Sequence, residues 1–403
     1  DWIALVHGGE SGRGAAMPLQ RIDLTAGQLR LLGGSFADTR LLVLPAAAGA
    51  TSVRVEGRSL AGALTVPGER TAPVVGRFER VHWRSSRPNP AAGRGAAAAA
   101  APGTGPDTRG ASAGRSAAPD PARIPPLSFD VQDLRVGKAH LGVASIRTQP
   151  TAAGLRIQQL QTRAPGHSIA LSGYWNGRGE RASTHIAMDL DSGDFGALLA
   201  GLGLGGQLAG GKGKLRFDTR WPGSPADFAV GELDGSLVIS ARDGRLLEVE
   251  PGAGRVLGLL SLAELPRRLS LDFRDFFDKG LAFNRLDGTL HFSGGNARSD
   301  DLLIDAPAAA ISIRGVADLR TQRFNQTVEV RPKSGNLLTA VGAIAAGPVG
   351  AAIGAAANAV LQKPLGQMGT RVYRVTGPWS DPKVEVISRD QGRVQAGAVP
   401  TAG

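Results

Sequence analysis

Two glycine-rich stretches and a few ionisable residues are the places where this 403-residue chain could do chemistry. "GLGLGG" (Gly201–Gly206) has the G-x-G-x-x-G spacing that cradles a pyrophosphate. "GQLAGGKG" (Gly206–Gly213) falls one residue short of a P-loop, with Gly213 where a Ser or Thr hydroxyl should reach Mg²⁺. Both motifs need a strand before them and a helix after them, so that the helix N-terminus faces the anion. Here the helical stretch "SGDFGALLAGLGL" comes first and the strand-like "KLRFDTRW" follows. The glycines therefore read as a flexible helix-to-strand turn. The six histidines, His7, His82, His140, His167, His185 and His291, have no tight ligand spacing. His291 stands opposite the apolar set of an alternating strand, where an imidazole is simply exposed. Asp272, Asp275 and Asp278 cluster in "LDFRDFFDKG" without the regular spacing of a Ca²⁺ loop, and fit a polar hairpin turn. No serine sits in a nucleophile elbow. There is no cysteine, which excludes disulfides and thiolate metal sites. The expectation is a protein that is not an enzyme, with no catalytic residue, metal ligand or cofactor.

The net charge of +11 raises nucleic acid or an anionic surface as partners. The excess is arginine scattered singly along strand-like segments, with no basic run and no ladder of aromatics. Six Arg against two Asp in residues 84–126 supply +4 of it. Nucleic acid is not expected as a partner.

The elements that would carry any function are strands. The 57 glycines are about one residue in seven, roughly twice ordinary usage. That composition suits many short strands joined by tight turns. "RLLVLP", "TSVRVEG", "LSFDVQDLRV", "GSLVISA", "GTLHFSG" and "AISIRGVADL" read as strands, and the last four place apolar residues at every second position. The units repeat. "LDGSLVIS" (Leu233–Ser240) recurs as "LDGTLHFS" (Leu286–Ser293), and "LQTRAPGHSIALSG" (Leu160–Gly173) matches "LLIDAPAAAISIRG" (Leu302–Gly315) at an offset of 142, with "LPAAAGATSVRVEG" (Leu44–Gly57) a looser copy. Repeated strand–turn–strand units stack side by side. The predicted fold is mainly β, an elongated repetitive antiparallel sheet or groove with a few short helices. About fifteen strands at ~4.8 Å each would extend roughly 70 Å. Period-two alternation puts Leu237, Ile239, Leu290, Phe292, Ile311 and Ile313 on one continuous apolar face. The pattern alone fits either an open trough or a closed sandwich whose oily faces meet.

Four segments follow from composition. Residues 1–83 form an N-terminal β segment. Residues 84–126 are a Pro/Ala/Gly linker with almost nothing to bury, expected to be disordered and dispensable. Residues 127–387 form the main β domain, and 388–403 a disordered tail. The opening "DWIALVHGG" lacks the basic start and apolar run of a signal peptide and reads as mid-domain, as in a piece of a longer protein. Besides the helix before "GLGLGG", "AGRVLGLLSLAEL" reads as a helix ending at Pro266. A third helical segment, 334–369, includes 29 residues without one charge, bounded by Lys333 and Lys363. Leu337, Val341 and Ile344 share a helical face there, as do Val349, Ile353 and Val360. Gly347-Pro348 breaks the segment into pieces of about 15 and 21 Å, each short of a hydrocarbon core of ~30 Å. A broken pair packed through Gly350-x-x-x-Gly354 is expected.

The pieces "EPGAGRVLGLLSL", "LDFRDFFDKG" and "YRVTGPWSDPKVE" carry a resemblance. The chain from about Asp227 to Ile387 resembles the C-terminal region of the AsmA-like superfamily, specifically the YhdP type. The match is looser over 127–226, and the insert at 84–126 departs from the pattern. The resemblance implies a Gram-negative envelope protein, anchored in the inner membrane by a helix outside this chain. It also implies a long periplasmic β-groove that conducts phospholipid between the inner and outer membranes, without catalytic residues. Phospholipid acyl chains would then contact the six face residues. The alternative is a non-conducting structural or assembly factor of the envelope, its sheet filled by its own side chains.

Residues 334–369 would then meet a membrane surface or a partner through Leu337, Val341, Ile344, Val349, Ile353 and Val360. Such binding is weak and reversible. In liposome flotation the wild-type chain should rise with the vesicles, and a variant carrying Ile344→Asp and Ile353→Asp should stay below. Equal flotation of the two, or unfolding of the variant, assigns the segment to the core.

Overall fold

The computed structural model describes residues 21–31, 34–69, 71–84, 120–205, 207–247, 281–333, 370–379 and 381–387. The helical stretch ending at Pro266, Asp272, Asp275 and Asp278, the segment 334–369 and the tail 388–403 lie outside the described residues. The fold is mainly β: eighteen strands and one α-helix occur among the described residues. The chain forms two compact units. The first comprises 1–192, 197–205 and 216–229, and the second 193–196, 206–215 and 230–403.

In the first unit the strands are β1 (Ile22–Leu31), β2 (Gly34–Pro45), β3 (Thr51–Glu56), β4 (Leu60–Val66), β5 (Val74–Trp83), β6 (Leu127–Val136), β7 (Ala139–Thr151), β8 (Gly154–Ala164), β9 (His167–Asn176) and β10 (Ser183–Ser192). Each pairs with the next in chain order, antiparallel except for β5 and β6. Phe36, Val55 and Leu60 make a buried cluster against which Leu41, Val53, Phe78, Val81 and Trp83 pack. Phe36 and Leu41 have opposite parity along β2, yet serve the same cluster. Asp38, at φ +47°, kinks the strand between them and resets the alternation.

The β5–β6 pair departs from the expected all-antiparallel sheet. Val74 lies beside Leu127 and Trp83 beside Val136, so both strands run the same way. A parallel neighbour cannot be reached by a tight turn. After Trp83 the chain must return the length of β5, about 30 Å, before β6 begins. The expected linker is therefore a crossover with a minimum length, and it joins strands that share one sheet. Its last residues also pack. Asp120 accepts a hydrogen bond from the Ala122 amide and caps the 3₁₀ turn Pro121–Arg123, Pro121 is buried, and Val74 N–H donates to the Pro126 carbonyl.

Helix α1 (Phe195–Gly201) buries Phe195 and Leu198. The Gly201 carbonyl at its end accepts from Lys138 N–H in the β6–β7 turn. "GLGLGG" thus starts at the C-terminal end of a helix, the wrong pole for an anion.

Strand β11 (Leu208–Pro222) gives its first half to the second unit and the rest to the first. The second unit continues with β12 (Asp234–Leu246), β13 (Leu281–Ser293), β14 (Asn296–Asp305), β15 (Ala309–Asp318), β16 (Arg323–Pro332), β17 (Arg371–Pro378) and β18 (Lys383–Ile387), each antiparallel to the next. Gly294 and Gly295, at φ +58° and +84°, close the two-residue β13–β14 hairpin, whose twist demands left-handed backbone. The repeated octapeptides are partners. Gly235 faces Phe292, Leu237 faces Leu290 and Ile239 faces Gly288. Gly288 leaves room for Leu302 of β14, whose Cα would lie 2.7 Å from a Cβ there.

Deleting residues 88–122 leaves only eight residues, Arg84–Arg87 and Arg123–Pro126, for the crossover. Fully extended they reach about 30 Å with no slack. That variant should lose about 5 °C or more in Tm, and deletion of 88–117 should stay within about 3 °C of wild type. Equal melting temperatures in differential scanning calorimetry would contradict the crossover constraint.

Candidate functional site

Alternation, turned into pairing, gives the first unit an apolar face and a charged one. The central row of the apolar face runs through five strands in direct register: Phe129 beside Ile146, Ile146 beside Leu160, Leu160 beside Leu171, and Leu171 beside Met188. At ~4.8 Å per strand the row is about 19 Å long. All five side chains are half-buried. The next row, Val131, Ala144, Thr162, Ile169 and Leu190, is buried except at Ile169. On the other side lie Thr148, Ile157, Gly173 and Ile186, then Pro150, Leu155, Trp175 and Thr184 near the strand ends. Phe78 and Phe129 meet edge-to-face at 5.8 Å. Gly76 lies beneath them: a Cβ there would come within 2.8 Å of both rings.

The opposite face is held by ion pairs. Arg147 reaches Asp130 at 2.9 Å, Arg216 reaches Asp189 at 2.8 Å, and His185 lies 2.8 Å from Asp218 with its ring stacked on Tyr174. Asp133 on β6 gathers His82 of β5 at 2.7 Å, Arg135 at 3.2 Å and His140 of β7 at 3.1 Å. Burial raises the Asp133 pKa, but the hydrogen bonds from His82 and Arg135 outweigh it and hold the carboxyl below its ordinary value. In the second unit Asp301 is treated likewise: burial pushes it up, and the Thr289 amide, the Thr289 hydroxyl and Ser299 bring it below the usual range. Such exposed pairs add little stability each. Their effect is to commit this face to water. Neither Asp133 nor Asp301 is raised toward neutral pH as a general acid would be. Among the described residues no group of three or more His, Asp or Glu side chains could hold a metal ion.

In the second unit the six residues singled out from the sequence fall on one face. Leu237, Ile239, Leu290 and Phe292 share it by direct pairing of β12 with β13. Phe292 then faces Ala297, Ala297 faces Ala317, and Ala317 has the parity of Ile311 and Ile313 along β15. Their surroundings differ. Leu237, Ile239 and Leu290 are half-buried, while Phe292, Ile311 and Ile313 are buried. Ile311 packs between Ile304 and Val330, and Ile313 between Leu302 and Val328. Val328 faces Tyr373, and Val375 beyond it is 0% exposed. Leu337, Val341, Ile344, Val349, Ile353 and Val360 lie outside the described residues.

The half-buried row of the first unit escaped the sequence reading. Its alternation is interrupted: the register shifts between Ile157 and Leu160, which puts residues three apart on one face. Apolar residues at 155, 157 and 160 do not read as one face of a strand until a partner fixes the bulge. The usable signal was Phe129 in the alternating first half of "LSFDVQDLRV".

Comparison with known proteins places this arrangement. The YhdP protein family matches residues 1–384. The chain is 31% identical over 186 residues to the "Intermembrane phospholipid transporter YhdP" of Escherichia coli (strain K12). That alignment covers 45% of this chain and 14% of the relative's length. No solved structure matches. No described helix is long and apolar enough to cross a membrane. With the family matching nearly its whole length, the chain belongs to the YhdP protein family.

Proposed function

We propose that this chain is a section of a bridge that conducts phospholipid between the inner and outer membranes of a Gram-negative envelope. Acyl chains lie along the Phe129–Ile146–Leu160–Leu171–Met188 row, and the ion-paired face stays in the periplasm. The observation that carries the reading is the half-burial of that row. Five large apolar side chains in register, opposite a solvated face, leave apolar surface for a ligand to cover. Each methylene buried there contributes ~0.8 kcal/mol. The name of the E. coli relative supplies the ligand class. Leu237, Ile239 and Leu290 extend the same kind of surface in the second unit. No catalytic step is needed for such transfer. Residues 334–369 would meet the membrane or a partner at the end of the path.

A second reading has its own support. Ile304, Val328 and Val375 are at most 1% exposed, so the β14–β17 face is filled within the chain. A non-conducting envelope factor would have such a face throughout. The two readings part at the first unit. A photo-crosslinking residue at Leu160 or Leu171 should capture phospholipid in cells, and one at Ile313 should capture protein. Ile146→Asp should block transport, because a carboxylate in an acyl path is costly. Protein adducts alone at Leu160 and Leu171 would support the filled sheet.

A further inference from the structure

At the edge of the apolar face, where β9 turns into β10, an unsatisfied donor and a cationic turn come together. Trp175 is the penultimate residue of β9, on the apolar face between Leu155 and Thr184. Its Nε1 is buried and has no hydrogen-bond partner. Two other polar groups of this edge are satisfied. Trp221 Nε1 donates to the Ser224 carbonyl at 3.1 Å, and the Thr184 hydroxyl donates to the Gly223 carbonyl at 2.9 Å. A buried N–H without an acceptor is costly, and native proteins rarely leave one empty. Two residues beyond Trp175 begins the turn 177–182, with Arg178 and Arg181. Arg178 reaches Asp120 at 3.0 Å, and Arg123 from the neighbouring 3₁₀ turn reaches the same carboxylate at 3.5 Å. One buried-edge carboxylate thus serves two guanidiniums. The Arg181 side chain is exposed and has no partner among the described residues.

We infer that this edge is a headgroup station for an anionic phospholipid. The inference rests on the acyl-chain reading above and adds where the polar end of the lipid is held. With the chains on the Leu160–Leu171–Met188 row, the glycerol ester meets the Trp175 indole N–H. The phosphate meets Arg181, with Arg178 and Arg123 alongside. An indole suits a boundary with apolar surface on one side and polar groups on the other. A guanidinium fork matches phosphate oxygens in pairs. The charge argument selects a phosphate-bearing lipid over a neutral one of the same chains. The contribution of this chain is therefore selection as well as conduction.

The test is a competition. The purified full chain is incubated with mixed detergent micelles holding equal amounts of phosphatidylglycerol and diacylglycerol with identical chains, freed of unbound lipid, and its retained lipid is quantified by mass spectrometry. Wild type should keep phosphatidylglycerol over diacylglycerol. Trp175→Phe, which keeps the ring and removes the N–H, and Arg181→Glu, on an exposed turn, should each cut that preference by about threefold or more. Both should retain diacylglycerol at the wild-type level. Variants with the wild-type preference would overturn the station, leaving water as the partner of the indole and the acyl-chain reading intact. Wild type that retains neither lipid would overturn both.

Discussion

A sheet that wears charge on alternate residues commits one of its faces to water. Everything else about this protein follows from how it treats the other face. Backbone pairing holds the strands side by side but does nothing for apolar side chains, which still need a neighbour. Two kinds of neighbour exist, the chain itself and a ligand. Both arrangements occur here. On β14–β17 the face is closed: Ile311, Ile313, Val328 and Val375 are shut in among themselves and their neighbours. On β6–β10 the central row keeps large side chains half-buried.

That difference bears on the bridge reading. A sheet filled from end to end would be a scaffold, and one open throughout would expose more apolar surface than a single chain in water tolerates. A half-buried row next to a row already buried is a compromise between the two. The row crosses the strands at right angles, so it uses pairing register rather than strand length to gain extent. Register is strongly specified where one face is apolar.

Much of this was legible in the chain itself. Alternation in "LSFDV", "GSLVISA" and "GTLHFSG" identifies β6, β12 and β13, and the reciprocal repeat explains why Leu237 meets Leu290. What was not legible depends on partners. The shift between Ile157 and Leu160 and the kink at Asp38 move side chains between faces with no residue type that announces it. Parallel pairing of β5 with β6 turns an apparent linker into a crossover, and "DPARIPP" looks like linker until Pro121 is seen to be buried. Above all, alternation says which face is oily. It does not say whether that face is half-open, as at Leu171, or closed, as at Ile313.

The central claim is that the Phe129–Met188 row takes an acyl chain. The chain has no cysteine, so Leu171→Cys is a unique attachment site for an environment-sensitive bimane. The measurement is its emission during titration with a short-chain phospholipid below its critical micelle concentration, with the exposed Thr327→Cys labelled in the same way. A saturable blue shift at position 171 and none at position 327 is the predicted result. No response at position 171 in a folded protein would mean that the row is covered by the chain itself, and the account would be wrong.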